Sequence, residues 1–209
     1  MDIGIVGAGN IGTTLAGLFT DAGHGVILSD PRGPQSLEST VEDLGPRAHA
    51  GDVEEAVRLG SVVVLALPFR NRESLPSGDL FAGKVVVDAT TPDGDSAEML
   101  DLPRTSSEYI AEQVPGARVV KTFDTMHWES LREAAGRDGE DRLALFLAGD
   151  DPRAKATVAG LVEDVGFAPV DTGTLVEGGR RQRPGTDLYD DPLTEAEARD
   201  RLSSVEPSP

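Results

Sequence analysis

A chain of 209 residues with 38% hydrophobic residues is long enough to bury a core of its own, and its formal net charge of −18 sets it against polyanionic partners. Nucleic acid and anionic membrane surfaces are therefore not expected partners, and an anionic ligand has to be held by local dipoles and local arginines. The absence of cysteine removes disulfides, thiolate nucleophiles and thiolate metal sites together.

The first strand pattern is the apolar run Ile3 to Val6, so near the N-terminus that no basic segment and apolar signal region precede it, and the protein reads as cytoplasmic. It runs into "GAGNIG", Gly7 to Gly12. A helical stripe of Ile11, Leu15, Leu18, Phe19 and Ala22 follows and ends at Gly23 as a C-terminal cap. Further strands are expected at Gly25 to Leu28, Val62 to Leu67, Val85 to Asp88, Arg118 to Lys121 and Leu143 to Ala148. Helical stripes cover Leu37 to Leu44, Val53 to Leu59 and Ala154 to Val165. The longest apolar run, Val62 to Leu67, is far short of the roughly 20 residues that span a bilayer.

Alternating strands and helices, with nearly continuous apolar strands, predict a Rossmann-type α/β fold: a mostly parallel sheet with helices on both faces. Residues 1–172 form the dinucleotide-binding domain in this reading, and 173–209 a C-terminal extension. There, "GTLVEGGRRQRPGTDLYDDPL" reads as an extended arm, "TEAEARDRL" as a short helix opened by a capping box of Thr194 and Glu197, and "SSVEPSP" as a frayed end.

A lone GxGxxG is a weak signal, but here it follows a strand and opens a helix within a βαβ unit. Gly7 allows the tight turn, Gly9 lets backbone approach a pyrophosphate, and Gly12 lets helix and strand pack closely. Asn10 and Ile11 lie between them, where the helix N-terminus offers free amides and a partial positive charge to a diphosphate. The next strand ends in "VILSDPRG", which carries opposed signals. Asp30 stands where a carboxylate accepts from a ribose 2′-hydroxyl and favours NAD, whereas Ser29 and Arg32 can hold a 2′-phosphate and favour NADP. Asp-Pro is also an ordinary turn opening, which leaves Arg32 solvated in a third reading.

Read along its length, the chain resembles the NADP oxidoreductases that depend on the deazaflavin coenzyme F-420 (hereafter F420) and their short bacterial relatives. The resemblance lies in "GAGNIG", "SDPRGPQSL", "VVVLALPF", "GKVVVDATTP", "RTSSE", "PGARVVKTFDTMHWESL", "LFLAGDDPRAKATVAGLVEDVGFAPVDTG" and "GGRRQRPGTDLY". It implies that Ser29 to Arg32 hold the NADP 2′-phosphate and that the loop at Leu67 and Pro68 passes the diphosphate. By the same resemblance, Ala89, Thr90 and the stretch Thr122 to Thr125 border the nicotinamide, and a homodimer is expected. Three positions depart from the pattern, with Asp30, Thr91 and Asp124 standing where relatives often carry asparagine.

The expected activity is hydride transfer between NADP(H) and F420, which asks the protein for positioning more than for acid or base chemistry. Asp124 is a catalytic candidate, because a carboxylate in place of an amide changes charge beside the nicotinamide. If the substrate is instead a ketone, imine or enone, His127 is the best-placed candidate for the proton donor, with packing or helix capping beside Trp128 as its alternative role. Two alternatives stay open: a reductase of another small molecule in a biosynthetic pathway, and a non-catalytic NADP-binding sensor. The basic run Arg180-Arg181-Gln182-Arg183 is read as a holder of an anionic coenzyme tail, a contact to a partner subunit, or a solvated arm. Asp187, Asp190 and Asp191 share no regular face and form no expected metal site.

Overall fold

The computed structural model describes residues 1–92 and 104–204. In chain order its elements are β1 (Asp2–Val6), α1 (Asn10–Asp21), β2 (Gly25–Ser29), α2 (Glu38–Leu44), β3 (Ala48–Gly51), α3 (Val53–Leu59), β4 (Val62–Leu65) and β5 (Val85–Asp88). Then follow α4 (Ser106–Gln113), β6 (Arg118–Lys121), α5 (Trp128–Ala134), β7 (Ala144–Gly149), α6 (Pro152–Asp164), β8 (Ala168–Gly173), α7 (Glu177–Arg181) and α8 (Glu195–Ser204). All eight strands form one sheet in the order β3-β2-β1-β4-β5-β6-β7-β8.

The first six strands are parallel and follow the order of a doubly wound Rossmann sheet. β7 pairs antiparallel with β6, and β8 joins β7 in parallel, so the last two strands run against the rest. Valine runs suit this because successive side chains point to opposite faces and both faces are covered. Val62 and Val64 enter one core cluster with Ile3, Leu15 and Phe19, while Val63 and Leu65 enter the other with Phe69, Phe81 and Ile110. Among the described residues, no helix is long and apolar enough to cross a membrane.

Two strands and three helices lacked an apolar signal, among them α7, "EGGRR", which forms within the stretch expected to be an extended arm. β3 is the four-residue edge strand "AHAG", and β8, "APVDTG", carries Pro169 at the other sheet edge, a position where a missing N–H is tolerated. α4 is polar but opens on a capping box in which Thr105 and Glu108 serve each other's backbone N–H. α5 begins at Trp128, directly after the loop that follows β6.

The C-terminal segment returns to the sheet. Leu188, Leu193 and Ala198 are buried against Ala144, Phe146 and Val170 of β7 and β8. Its last helix opens where the capping box put it: Thr194 N–H donates to Glu197 Oε2 at 2.8 Å and Glu197 N–H returns to Thr194 Oγ1 at 3.4 Å. Residues 205–209, within the stretch expected to fray, lie outside the described residues.

Candidate nucleotide and acceptor groove

β1 and β4 are neighbours whose chain connections leave in opposite directions, which opens a crevice beyond their carboxyl ends. The glycine turn sits there, and its three glycines are required for different reasons. Gly7 has φ +111°, and a Cβ on it would stand 2.4 Å from the Ala66 carbonyl oxygen. A Cβ on Gly12 would stand 1.8 Å from the Gly7 carbonyl oxygen, so this glycine seats α1 against the strand. Gly9 has the ordinary φ of −79° and nothing within 4 Å of a Cβ position. No protein atom demands glycine at Gly9, and the open space above it fits a diphosphate laid against the backbone. The first turn of α1 has neither a side-chain cap nor an acidic residue, which leaves its amides available to an anion.

On one side of this turn lies a cavity of about 400 Å³, lined by Gly7 to Gly9, Asp30 to Arg32, Leu67, Pro68, Asn71 and Ser74. Arg32 grips Asp30 in a fork, Nε to Oδ1 at 2.7 Å and Nη2 to Oδ2 at 3.3 Å. That hydrogen bond is the main reason the Asp30 carboxyl is held below its ordinary value. Arg32 keeps 72% of its side chain exposed and can turn to a ligand. The expectation for Ser29 is corrected: it is fully buried and its Oγ donates to the Ile5 carbonyl at 2.9 Å, so it holds the sheet together and not the ligand. Asn71 and Ser74 had no place in the sequence reading. They sit in a polar turn after β4 whose approach to the glycines is a matter of tertiary packing.

On the other side is a smaller cavity of about 190 Å³, lined by Ile11, Ala89, Thr91, Phe123 to Trp128, Tyr189 and Asp190. Beneath it lies a buried charge cluster. Lys121 Nζ is 2.8 Å from Asp124 Oδ2 and 3.9 Å from Asp88 Oδ2, and it donates to the Thr90 carbonyl at 3.1 Å. Asp88 is satisfied further by the Thr90 hydroxyl at 2.6 Å and the Ser107 hydroxyl at 2.5 Å. Burial works against the Lys121 ammonium, but the two carboxylates outweigh it and the net direction is up, so the lysine stays charged. Burial likewise pushes the Asp124 carboxyl up to about 6, with Lys121 opposing. Asp124 Oδ1 has no hydrogen-bond partner.

Among the described residues, only Phe123 (φ 64°) and Asp190 (φ 54°) adopt left-handed backbone without being glycine. Both line this cavity, and strain of this kind is retained where the surroundings over-determine a shape. His127 stands at the rim with 60% of its side chain exposed and Nδ1 3.0 Å from Glu129 Oε2. Ala89 lines this cavity, and so does Ile11, which the sequence reading put at the diphosphate. Thr90 does not, since its hydroxyl and carbonyl serve Asp88 and Lys121 beneath. Asn10 is exposed and faces a separate groove between α1 and α5. Lys121, Tyr189 and Asp190 are the residues that sequence reasoning missed. A lysine closing the apolar strand "RVVK" was a usable signal, whereas nothing local to Tyr189 and Asp190 was. The basic run is largely used internally: Gln182 is fully buried with Nε2 bonded to Thr172 Oγ1 at 2.9 Å, and Arg183 Nη2 donates to the Arg104 carbonyl at 2.7 Å.

A Rossmann sheet with its glycine turn between two cavities has the layout of a dinucleotide-binding fold, and reductases are among the proteins the chain resembles. The model of the family described as NADP oxidoreductase, coenzyme F420-dependent, matches residues 2–92 of the chain. Its fold matches the crystal structure of a hypothetical protein from Sinorhizobium meliloti at 36% identity and TM-score 0.80, covering 93% of this chain and 95% of that one. It also matches a candidate F420-dependent NADP reductase from Arthrobacter sp. FB24 at 26% identity and TM-score 0.76, covering 92% and 99%. The metalloreductase STEAP3 of Rattus norvegicus is 32% identical over 174 residues, which are 83% of this chain and 34% of that protein. The chain thus spans about a third of the length of this curated relative.

Proposed function

We propose that the protein transfers a hydride between NADP(H) and F420, with the dinucleotide laid across the glycine turn and the deazaflavin in the smaller cavity. The observation that carries this reading is the space over Gly9, which the chain itself leaves empty between the two cavities. The adenosine ribose falls at Asp30 and Arg32, the diphosphate at Gly9 to Gly12 with Leu67 and Pro68 alongside, and the nicotinamide at Ile11 and Ala89. Arg32 supplies the positive charge that a 2′-phosphate needs, and in doing so releases Asp30 from the fork. Bound NADPH supplies the hydride. The cavity walls supply alignment and exclude water, which is the main demand of transfer between two stacked rings.

The buried Asp124 carboxyl favours a second reading, reduction of a carbonyl or imine with a side chain as proton donor. The two readings separate on His127→Ala. It lowers F420 turnover only modestly under the first, and costs roughly 10²–10⁴ in rate under the second if the rim histidine is the acid. The direct test follows NADPH oxidation by the purified protein with and without F420. Oxidation that depends on F420 supports the proposal, and tight NADPH binding with no turnover assigns the protein to the sensor class.

A further inference from the structure

The acceptor cavity is walled by the loops after β5 and β6, by Ile11 and Trp128 at the starts of α1 and α5, and by Tyr189 and Asp190 of the C-terminal extension. Tyr189 is held from both sides. Leu188 before it is fully buried in the cluster on β7 and β8, and the Asp190 N–H after it donates to the Thr125 carbonyl at 2.8 Å. The phenol is half-buried, with the Thr91 hydroxyl beside it available as a donor to the phenol oxygen.

The other polar groups of the wall are less suited to meet a ligand. Asp124 has a side chain only 1% exposed, with one oxygen bound to Lys121, and His127 is at the rim beside Glu129. Thr91 Oγ1 lies 3.4 Å from the Asp124 carbonyl, and its one proton is committed to that oxygen or to the Tyr189 phenol oxygen, which leaves the phenol's own proton for a ligand. We propose that the Tyr189 hydroxyl donates a hydrogen bond to the nitrogen or oxygen of the acceptor on which charge collects as the hydride arrives. This rests on the hydride-transfer reading above and adds to it a catalytic residue from the C-terminal extension. The acceptor class it selects is a conjugated heterocycle whose reducible carbon or nitrogen is joined to a C=N or C=O group.

In the step itself, the C4–H bond of the reduced nicotinamide breaks and its electron pair forms the new bond to hydrogen on the acceptor. The displaced π pair of the acceptor moves onto its nitrogen or oxygen, NADPH becomes NADP⁺, and a proton from water completes the reduced acceptor. A donor already in place stabilises that charge without reorganising at the moment of transfer. Burial, and then the Asp124 charge, push the phenol above its ordinary value, so Tyr189 remains a donor through the neutral range.

The test is Tyr189→Phe, which keeps the ring and removes the hydroxyl. Trp128, the single tryptophan of the chain, lines the cavity and reports acceptor and nucleotide binding by fluorescence. The variant should keep its melting temperature and NADPH affinity, while kcat with F420 falls about 10- to 100-fold, the loss expected for one hydrogen bond to developing charge. The deuterium isotope effect from NADPH labelled at the transferred position should rise at the same time, because chemistry then limits turnover. An unchanged kcat, or a loss confined to acceptor affinity, overturns the proposal and leaves Tyr189 a packing residue. Parallel assays with FMN separate it from the F420 reading. Reduction of FMN but not F420 by the parent protein, impaired in Tyr189→Phe, removes F420 and keeps Tyr189. Inactivity of the parent toward both removes both.

Discussion

The two ends of the groove are built by different means. At the nucleotide end the chemistry is carried by backbone within one βαβ turn, where Gly7, Gly9 and Gly12 act through absent side chains and Asp30 and Arg32 follow at the next strand end. At the acceptor end it is carried by side chains from β5, β6 and the C-terminal extension, which meet only when the whole sheet has formed. Gly9 and Arg32 at the nucleotide end are therefore separable from stability, and the charge cluster beneath the acceptor end is not. Changes at the first should alter binding in a folded protein, whereas changes beneath the second should loosen the protein itself.

The largest expected effect belongs to Lys121→Met. It leaves the Asp88 and Asp124 carboxylates buried without their cation, and breaking a buried pair from one side costs about 3–5 kcal/mol. Urea unfolding followed by Trp128 fluorescence measures it. A loss below about 1 kcal/mol, the range of a surface pair, would show that the cluster is not part of what holds the sheet.

Gly9→Val comes next and sharpens the contrast from the other side. The space around Gly9 accepts a side chain and its φ suits any residue, so the fold should survive. Affinity for NADPH should fall by at least about 100-fold, the equivalent of two charge-assisted hydrogen bonds lost at the diphosphate. Calorimetric titration reads it, and an unchanged affinity in the folded variant would take the diphosphate away from this turn.

A smaller effect is expected for Arg32→Ala, because this side chain is exposed and spends part of its interaction on Asp30. NADPH should weaken by about tenfold relative to NADH, near the low end for a charge-assisted bond. Equal losses for the two nucleotides would mean that Asp30 alone sets the choice.

The same division decides what could be read from the sequence. The six stronger strands, the main helices and the glycine turn were legible because each depends on residues close together in the chain. β3 and β8 were not, being edge strands without a continuous apolar run, whose pairing comes from their neighbours. Arg32 and Asp30 were legible as a pair of opposed signals, and the fork between them explains why the signals conflicted. Ser29 was misplaced because alternation along a strand turned its hydroxyl inward to Ile5. Tyr189 was invisible because its place is set by Leu188 packing on a sheet edge formed elsewhere in the sequence.

A pH slope tests the charge cluster at the acceptor end without removing its cation. Asp124 has its folded value raised from 3.8 to about 6, so between these values the native state binds more protons than the unfolded chain. Stability should accordingly fall as pH rises through that window and level off above it. Asp124→Asn should remove this part of the slope, as followed by melting temperature against pH. An identical slope in the variant would show that the carboxyl does not titrate in the folded protein over this range.

The central claim, that the two cavities form one groove in which hydride passes from NADPH to a deazaflavin, is tested most directly by a single-turnover experiment. The protein preloaded with NADPH is mixed with F420 without oxygen, and the loss of NADPH absorbance and the bleaching of the deazaflavin are followed together. Equal rates and a one-to-one stoichiometry in the parent protein, with both signals absent in Gly9→Val, are the predicted result. NADPH bound and stable in the presence of F420 would contradict it.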